Sequence, residues 1–133
     1  MIRRMAALAL TLSLGVGTAF AQAPKFPDTA QGKLGAGFFD ATNTGDEEAL
    51  ARFQEANFSE AALKRRTAEE RKASNRQLRE TAGRLTLVEV KSATASQLVV
   101  TASGSKAPGF ILTITFDFTG VENPKIDRLQ ITG

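Results

Sequence analysis

The chain changes its hydrophobic period once, near residue 83. Before that point, apolar residues recur every three to four positions, as on the face of a helix. After it, they alternate with polar residues, as in strands. The pattern predicts three helices followed by four strands, the strands at 85–91, 96–102, 110–118 and 125–132.

Three segments carry helix-start signals. Each has a short oxygen-bearing side chain followed three residues later by Gln or Glu, the capping-box pattern: Asp28 with Gln31, Thr44 with Glu47 and Thr67 with Glu70. Asn43 is expected to end the first helix and Gly83 the third, because both residue types accept the left-handed conformation found at helix ends.

The first predicted helix has an apolar face that includes Ala30, Leu34 and Phe38. It also contains glycines at positions 32, 35 and 37. Each glycine weakens a helix by up to about 1 kcal/mol relative to Ala. Because close backbone packing is a common reason to retain glycine, we expect this helix to approach its neighbours closely.

The second and third predicted helices differ in their apolar content. Leu50 and Phe53 give the second helix a continuous apolar stripe. Leu78 is the only large apolar residue of the third helix, which runs to about Ala82. We therefore expect the third helix to lie on the surface and to touch the core along a thin line.

The third predicted strand has the clearest alternation. Its large apolar residues all face one side, and the residues between them are polar enough to face water; the apolar set is Phe110, Leu112, Ile114, Phe116 and Phe118. Short, turn-rich connections predict antiparallel neighbours. The predicted fold class is α+β, with helices on one face of a four-stranded antiparallel meander.

The first 21 residues have the features of a secretory signal peptide: a positive start, an apolar run and the Ala19-Phe20-Ala21 cleavage pattern. The apolar run is shorter than the ~20 residues of a spanning helix. We therefore expect cleavage, no remaining membrane anchor and a periplasmic or secreted protein. The predicted organisation is a signal peptide at 1–21, an extended lead-in at 22–27 and one domain at 28–133.

Loss of this segment changes the charge of the chain. The 17 basic residues include Arg3 and Arg4, so the remainder carries 15 basic and 14 acidic residues, a net charge of +1. A basic cluster between Lys64 and Arg79 has no interleaved aromatics for base stacking, and we expect no nucleic-acid partner. Local ion pairs on a solvated helix are the better interpretation, with Glu60, Glu69, Glu70 and Glu80 as the partners.

The segment FFDATNTGDEEALARF, residues 38–53, precedes a charged helix that ends in Gly and a strand meander. This arrangement resembles the nuclear transport factor 2-like, or SnoaL-like, superfamily over about residues 28–133. The resemblance implies a cystatin-like cone, in which helices pack into the concavity of a curved sheet. It is closest to a secreted module that can precede serine hydrolase or peptidase domains. Enzymes of the superfamily usually carry Asp with Tyr, His or Arg inside the cone.

The residue content argues against catalysis. The chain has no His, Tyr, Trp or Cys, so acid–base chemistry near neutral pH would need a carboxylate or lysine with a strongly shifted pKa. Asp40 and Asp117 are the candidates, and we expect both to be solvated. Ser103 and Lys106 match an S-x-x-K pattern, but they lie in a predicted hairpin loop, and we interpret the match as accidental. We expect neither a cofactor nor a metal.

We predict an exported, non-catalytic binding or accessory domain that acts through a partner surface or a small apolar pocket. The partner would be a small apolar ligand or another protein, and a homodimer through the sheet is one alternative. A small isomerase- or hydratase-type enzyme using a carboxylate in the cone is the other hypothesis. Close packing of helices on the third strand should leave at most a small, mostly apolar hollow. The pocket candidates are Phe38, Phe39, Phe53, Phe110 and Phe116.

The first testable prediction concerns processing. Protein recovered from a secretory host should begin at Gln22, because cleavage after Ala21 fits the small-x-small pattern. Intact mass spectrometry should show the loss of 21 residues from the 133. Recovery of exported protein with Met1 still attached would contradict the prediction.

Overall fold

The computed structural model describes residues 23–133, so the predicted signal peptide and its cleavage site lie outside the described residues. Within these residues, four helices precede four strands. No helix in this part of the chain is long and apolar enough to cross a membrane. The elements are α1 (Ala30–Asn43), α2 (Glu47–Asn57), α3 (Glu60–Arg65), α4 (Ala68–Ala82), β1 (Leu85–Ala93), β2 (Gln97–Gly104), β3 (Ala107–Thr119) and β4 (Lys125–Thr132).

The four strands form one antiparallel sheet in the order β1-β2-β3-β4. The predicted α+β class and antiparallel meander are therefore confirmed. Val100 pairs with Ile114, and Ile114 pairs with Ile131, so the alternation of β3 continues into both neighbours as one apolar row. Every strand pair contains a register shift, and such bulges bend strands and increase their twist.

The core lies between this apolar face and the first two helices. Phe38 of α1 and Phe116 of β3 are almost fully buried, with ring centroids 5.8 Å apart and planes at 78°. Leu50 of α2 is also fully buried. Phe26 packs against Phe39, with centroids 5.0 Å apart, although residues 23–27 have no regular secondary structure. Each fully buried ring stabilises the fold by roughly 1.5–3 kcal/mol.

Helix α1 approaches its neighbours as closely as its glycines predict. A Cβ on Gly35 would lie 2.7 Å from Cδ2 of Leu98 in β2. A Cβ on Gly37 would lie 2.8 Å from Cε1 of Phe53 in α2. Both distances are too short for real atoms, so these two positions set how near α1 can lie to the sheet and to α2.

Two of the predicted helix starts are wrong by one or two residues. Thr29, not Asp28, caps α1 and accepts a first-turn N–H at 3.0 Å. Asp46, not Thr44, caps α2 and accepts an N–H at 2.9 Å. The Thr44 hydroxyl accepts the Asp46 N–H and donates to the Ala41 carbonyl at the end of α1. It is thus part of the turn between the helices.

The start and end of α4 agree with the prediction. Thr67 accepts the Glu70 N–H at 3.1 Å, and the Glu70 carboxylate accepts the Thr67 N–H at 2.8 Å, which completes the capping box. Gly83 ends the helix with φ of 77°. As expected for a surface helix, α4 reaches the core mainly through Leu78 and Ala82.

Asn43 has a different role from the predicted left-handed helix end. The only described residues with positive φ are glycines, and Gly45 takes that conformation in this turn. The Asn43 side-chain amide instead accepts the Leu85 N–H at 2.7 Å and donates to the Leu85 carbonyl at 2.8 Å. The side chain thus acts as a strand partner and ties the end of α1 to the start of β1.

Helix α3 is an element that the hydrophobic pattern did not predict, because six residues are too few to show a helical period. Ser59 caps it, accepting the Ala62 N–H at 3.0 Å. The Ser59 backbone N–H donates to the carbonyl of Ile126 at 2.9 Å. The short helix is therefore attached to β4 at its first residue.

The predicted burial of Phe110 is wrong, since half of this residue is exposed. Ser103 pairs with Ile111, but Gly104 pairs with Ala107, so the residues between them bulge out of the ladder. Strand β4 ends opposite Thr113 and does not reach this part of β3. In the part of β3 where the register shifts and β4 no longer pairs with it, the alternation of apolar and polar residues therefore does not predict which side chains are buried.

The second testable prediction uses the two faces of β3. Phe116→Asp should unfold the domain or cost about 4 kcal/mol or more, because it removes a buried ring and places a charge in the core. Thr115→Asp, on the opposite face, should change the free energy of unfolding by no more than about 1 kcal/mol. Chemical denaturation compares them, and similar midpoints would show that the faces are wrongly assigned.

Candidate functional site

A groove of about 600 Å³ lies between α4 and β4. We call it the α4–β4 groove. Helix α3 closes one end of it. The groove exists because α4 packs chiefly against α2 and meets the sheet only along a thin line, which leaves the inner face of β4 partly uncovered.

The floor of the groove is apolar. Leu78 contributes from the α4 wall. Leu129 and Ile131 point inward from β4, where they pair with inward-facing residues of β3 and remain partly accessible. The rest of the floor comes from α1, the segment before α3, α3 and β3: Phe38, Phe58, Ala62 and Leu112.

One buried polar pair lies in the wall of the groove. Gln54 of α2 donates its amide N–H to Asn75 Oδ1 at 3.1 Å, and Asn75 of α4 donates to Gln54 Oε1 at 3.2 Å. Both residues are buried. Each amide satisfies the other, so the pair joins α2 and α4 and fixes the spacing at which α4 stands above the sheet.

Sequence reasoning missed this pair, although a signal was present. Gln54 follows Leu50 by four positions, and Asn75 precedes Leu78 by three, so both amides lie on the apolar stripes of their helices. A polar residue on an apolar stripe needs a buried partner. The sequence could not indicate that the two amides are partners, because they come from different helices.

Hydrogen bonds join α3 to β4 at the cationic end of the groove. Arg65 donates from Nη1 to the Asp127 carbonyl at 2.7 Å and from Nη2 to Asp127 Oδ1 at 3.2 Å. The Ser59 hydroxyl donates to the same Oδ1 at 2.7 Å. Asp127 is therefore a satisfied structural carboxylate that holds the helix against the edge strand.

Two further arginines lie at this end. Arg66 donates to the Ser74 hydroxyl at 2.5 Å, and Arg71 donates to the Arg66 carbonyl at 2.6 Å. Within residues 23–133, no carboxylate lies within 4 Å of these two guanidinium groups. Together with Arg65, three arginines and one aspartate line this end of the groove.

Arg128 borders the groove only through the edge strand that carries it. Its register partner in β3 is Asp117. That carboxylate accepts the Gln97 side-chain N–H at 2.9 Å and makes no ion pair with Arg128 within 4 Å. Because paired residues of antiparallel strands point to the same face, the exposed Arg128 side chain lies on the outer face of the sheet, away from the apolar floor of the groove.

Glu70 is the acidic group nearest to Arg66, and it is already occupied. The backbone N–H of Thr67 is the main cause that lowers the pKa of Glu70, with smaller contributions from the Thr67 hydroxyl and the charge of Arg66. The capping box therefore holds this carboxylate at the start of α4, outside the groove lining.

Three other cations of the basic cluster pair across helices instead of along α4. Arg76 donates to Glu47 at 2.7 and 3.0 Å, Arg79 donates to Glu47 at 3.4 Å, and Lys72 donates to Glu48 at 3.1 Å. The expected partners along the same helix are thus wrong for these three residues. The reason is that α2 presents its acidic first turn to α4.

These pairs give a small dependence of stability on pH. The hydrogen bond from Arg76 is the main cause that lowers the pKa of Glu47 below its ordinary value. Such a group stabilises the fold above its unfolded-state pKa, and the contribution is lost as pH falls through the lowered folded-state pKa. Because the pairs are accessible to solvent, the effect on stability is small.

The five predicted pocket residues do not share one cavity. Phe38 lines the α4–β4 groove, and Phe53 lines a second cavity of about 470 Å³ beside the β3–β4 loop. Phe39 and Phe116 are buried in the core, and Phe110 lies half-exposed in its bulge. The α4–β4 groove is larger than the small hollow that was expected; most of its lining is apolar, as expected, and one end is cationic.

The two carboxylates considered for catalysis lie away from the groove. Asp40 is exposed on α1. Asp117 lies on the outer face of β3, where Gln97 is its hydrogen-bond partner. In residues 23–133 no group of three or more acidic residues is placed to hold a metal ion.

Comparison of the chain with protein-family models, curated proteins and solved structures gives no match. The functional proposal therefore depends on the residues of the groove.

The third testable prediction concerns the buried amide pair. Gln54→Met or Asn75→Leu alone should lower the free energy of unfolding by about 1–3 kcal/mol, because each leaves the other amide buried without a partner. The double variant should lose less than the sum of the two, since both polar groups are then removed. Gln77→Leu, exposed on the same helix, is the control. Strictly additive losses in urea denaturation would show that the amides are not partners.

Proposed function

We propose that this protein is an exported, non-catalytic binding or accessory domain, and that the α4–β4 groove is where it binds a small molecule with an apolar body. The observation that supports the proposal is the groove itself. Its volume of about 600 Å³ falls within the roughly 300–1,000 Å³ of small-molecule sites. Its floor is apolar, and its walls are held by defined polar contacts.

The composition of the lining favours binding over catalysis. Asp127 is the only carboxylate among the described lining residues, and both the Ser59 hydroxyl and Arg65 occupy its Oδ1. These contacts commit that oxygen to holding α3 against β4. An isomerase or hydratase would need a free base here, and the chain has no His, Tyr or Cys to provide one.

The groove also has the rigidity that a binding site needs. The amide pair joins its α4 wall to α2, and the Arg65–Asp127 contacts join its α3 end to β4. A site that is already formed loses little conformational entropy when a ligand binds. The order of elements, helices first and then an antiparallel meander, supports a relationship with the nuclear transport factor 2-like superfamily as part of this proposal.

The fourth testable prediction concerns variants that fill the groove from its floor. The neutral fluorescent probe N-phenyl-1-naphthylamine should bind the purified protein, because the floor is apolar. Ile131→Trp should weaken this binding about tenfold or more by occupying the same space. Thr132→Trp, the next residue and on the opposite face of β4, should leave it unchanged. Fluorescence titration gives the dissociation constants.

Leu78→Trp fills the same space from α4. If Ile131→Trp lowers the melting temperature, this second variant repeats the test. Equal affinity in the groove-filling variants and in Thr132→Trp would show that the probe binds elsewhere. That result would overturn the groove as the binding site.

A further inference from the structure

The lining of the α4–β4 groove changes in character from one end to the other. Along β4, the charged residues Asp127 and Arg128 come first, and the apolar Leu129 and Ile131 follow. Along α4, Arg71 comes first and Leu78 later. The two walls therefore run in the same sense from a cationic end to an apolar end.

Contacts between the elements fix this direction. Arg65 of α3 bonds to Asp127, which places the first residues of β4 beside α3. Arg71 donates to the carbonyls of Arg66 and Leu63, which places the start of α4 at the same end. Arg65, Arg66 and Arg71 thus lie around one end of the groove.

The opposite end has no charged lining residue among the described residues. It is formed by Leu78, Thr81, Leu112 and Ile131. Along α4, the distance from Arg71 to Thr81 is about 15 Å, from ten residues of helix rise. The groove is therefore long enough to separate the two ends of one elongated small molecule.

We infer that the natural ligand of the groove is an amphipathic anion, a carboxylate or similar acid with an extended apolar tail. The acid group lies between Arg66 and Arg71, and the tail lies along Leu129 and Ile131. This inference rests on the proposed function, because it requires that the groove bind a small molecule. It adds the sign of the ligand's charge and the direction in which the ligand lies.

The charge balance carries the inference. Arg65 is compensated by Asp127, but no carboxylate within the described residues lies within 4 Å of Arg66 or Arg71. Guanidinium groups bind carboxylates through short, charge-assisted hydrogen bonds, and a partly enclosed site strengthens these bonds. A neutral ligand of the same shape would make no such bonds.

Decanoate and 1-decanol provide the matched probes, since they share an apolar chain and differ in the charge of the head group. Both are titrated against bound N-phenyl-1-naphthylamine near neutral pH, where a carboxylic acid is ionised. Decanoate should bind about tenfold or more tightly than decanol at low salt. High salt should reduce the ratio, because screening weakens the contribution of the charges.

Single variants test which cations cause the preference. Arg66→Gln and Arg71→Gln should each lower the ratio of the decanol to the decanoate dissociation constant about threefold or more. Arg76→Gln removes the same charge from α4, but its guanidinium pairs with Glu47 outside the groove, so the ratio should not change. Arg66 is exposed, so its variant remains informative if Arg71→Gln, which removes two hydrogen bonds to backbone carbonyls, impairs folding.

The outcomes separate this inference from the proposed function. Equal displacement of the dye by decanoate and decanol would overturn the anionic ligand and leave the groove as a binding site. A preference for decanoate that falls equally in Arg76→Gln would also overturn it, since net charge would then be the cause. Dye binding that persists unchanged in Ile131→Trp and Leu78→Trp would overturn the proposed function itself.

Discussion

The architecture depends on how closely α1 lies against the sheet. At Gly35 the helix backbone meets Leu98 of β2 with no room for a side-chain carbon, and Phe38, one turn later, is buried against Phe116 of β3. These contacts bring α1 onto the inner face of β2 and β3. Helix α2 then packs on α1, where Gly37 admits the ring of Phe53. The first two helices therefore cover one part of the inner face of the sheet and leave the β4 part to other elements.

Helix α4 does not fill that remaining space, because its attachments lie on the α2 side. The buried Gln54–Asn75 pair and the pairs that Glu47 makes with Arg76 and Arg79 all draw α4 toward α2. Leu78 is the only large apolar side chain that it turns toward the core cluster. Polar contacts hold α4 against α2, and the side of α4 that faces the sheet has little apolar surface. A groove between α4 and β4 is the result. The feature that we associate with function thus follows from the composition of α4.

The cationic end of the groove arises because the acidic side chains near α4 are paired elsewhere. The sequence after residue 21 is nearly neutral overall, yet the acidic side chains near α4 are drawn to particular places. Glu47 and Glu48 pair with the outward cations, and Glu70 completes a helix cap. The arginines at the groove end are left with hydroxyl and carbonyl partners, such as Ser74 for Arg66. A nearly neutral chain can therefore present a cationic end to a ligand.

Local features were predictable from the chain alone wherever the partners are close in sequence. The capping box of Thr67 and Glu70, the helix end at Gly83 and the alternation through Phe116 all depend on neighbours within a few residues. The α+β class follows from the order of these patterns.

Features with distant partners were not predictable in this way. Asn43 bonds to the strand residue Leu85, Gln54 finds Asn75 on another helix, and Phe110 is exposed because β4 ends before reaching it. In each case the side chain type permits several roles, and its neighbours in the fold select one. The groove belongs to this second group: its residues come from α1, α2, α3, α4, β3 and β4 and the segment before α3, and no local pattern specifies the space that those elements leave between them.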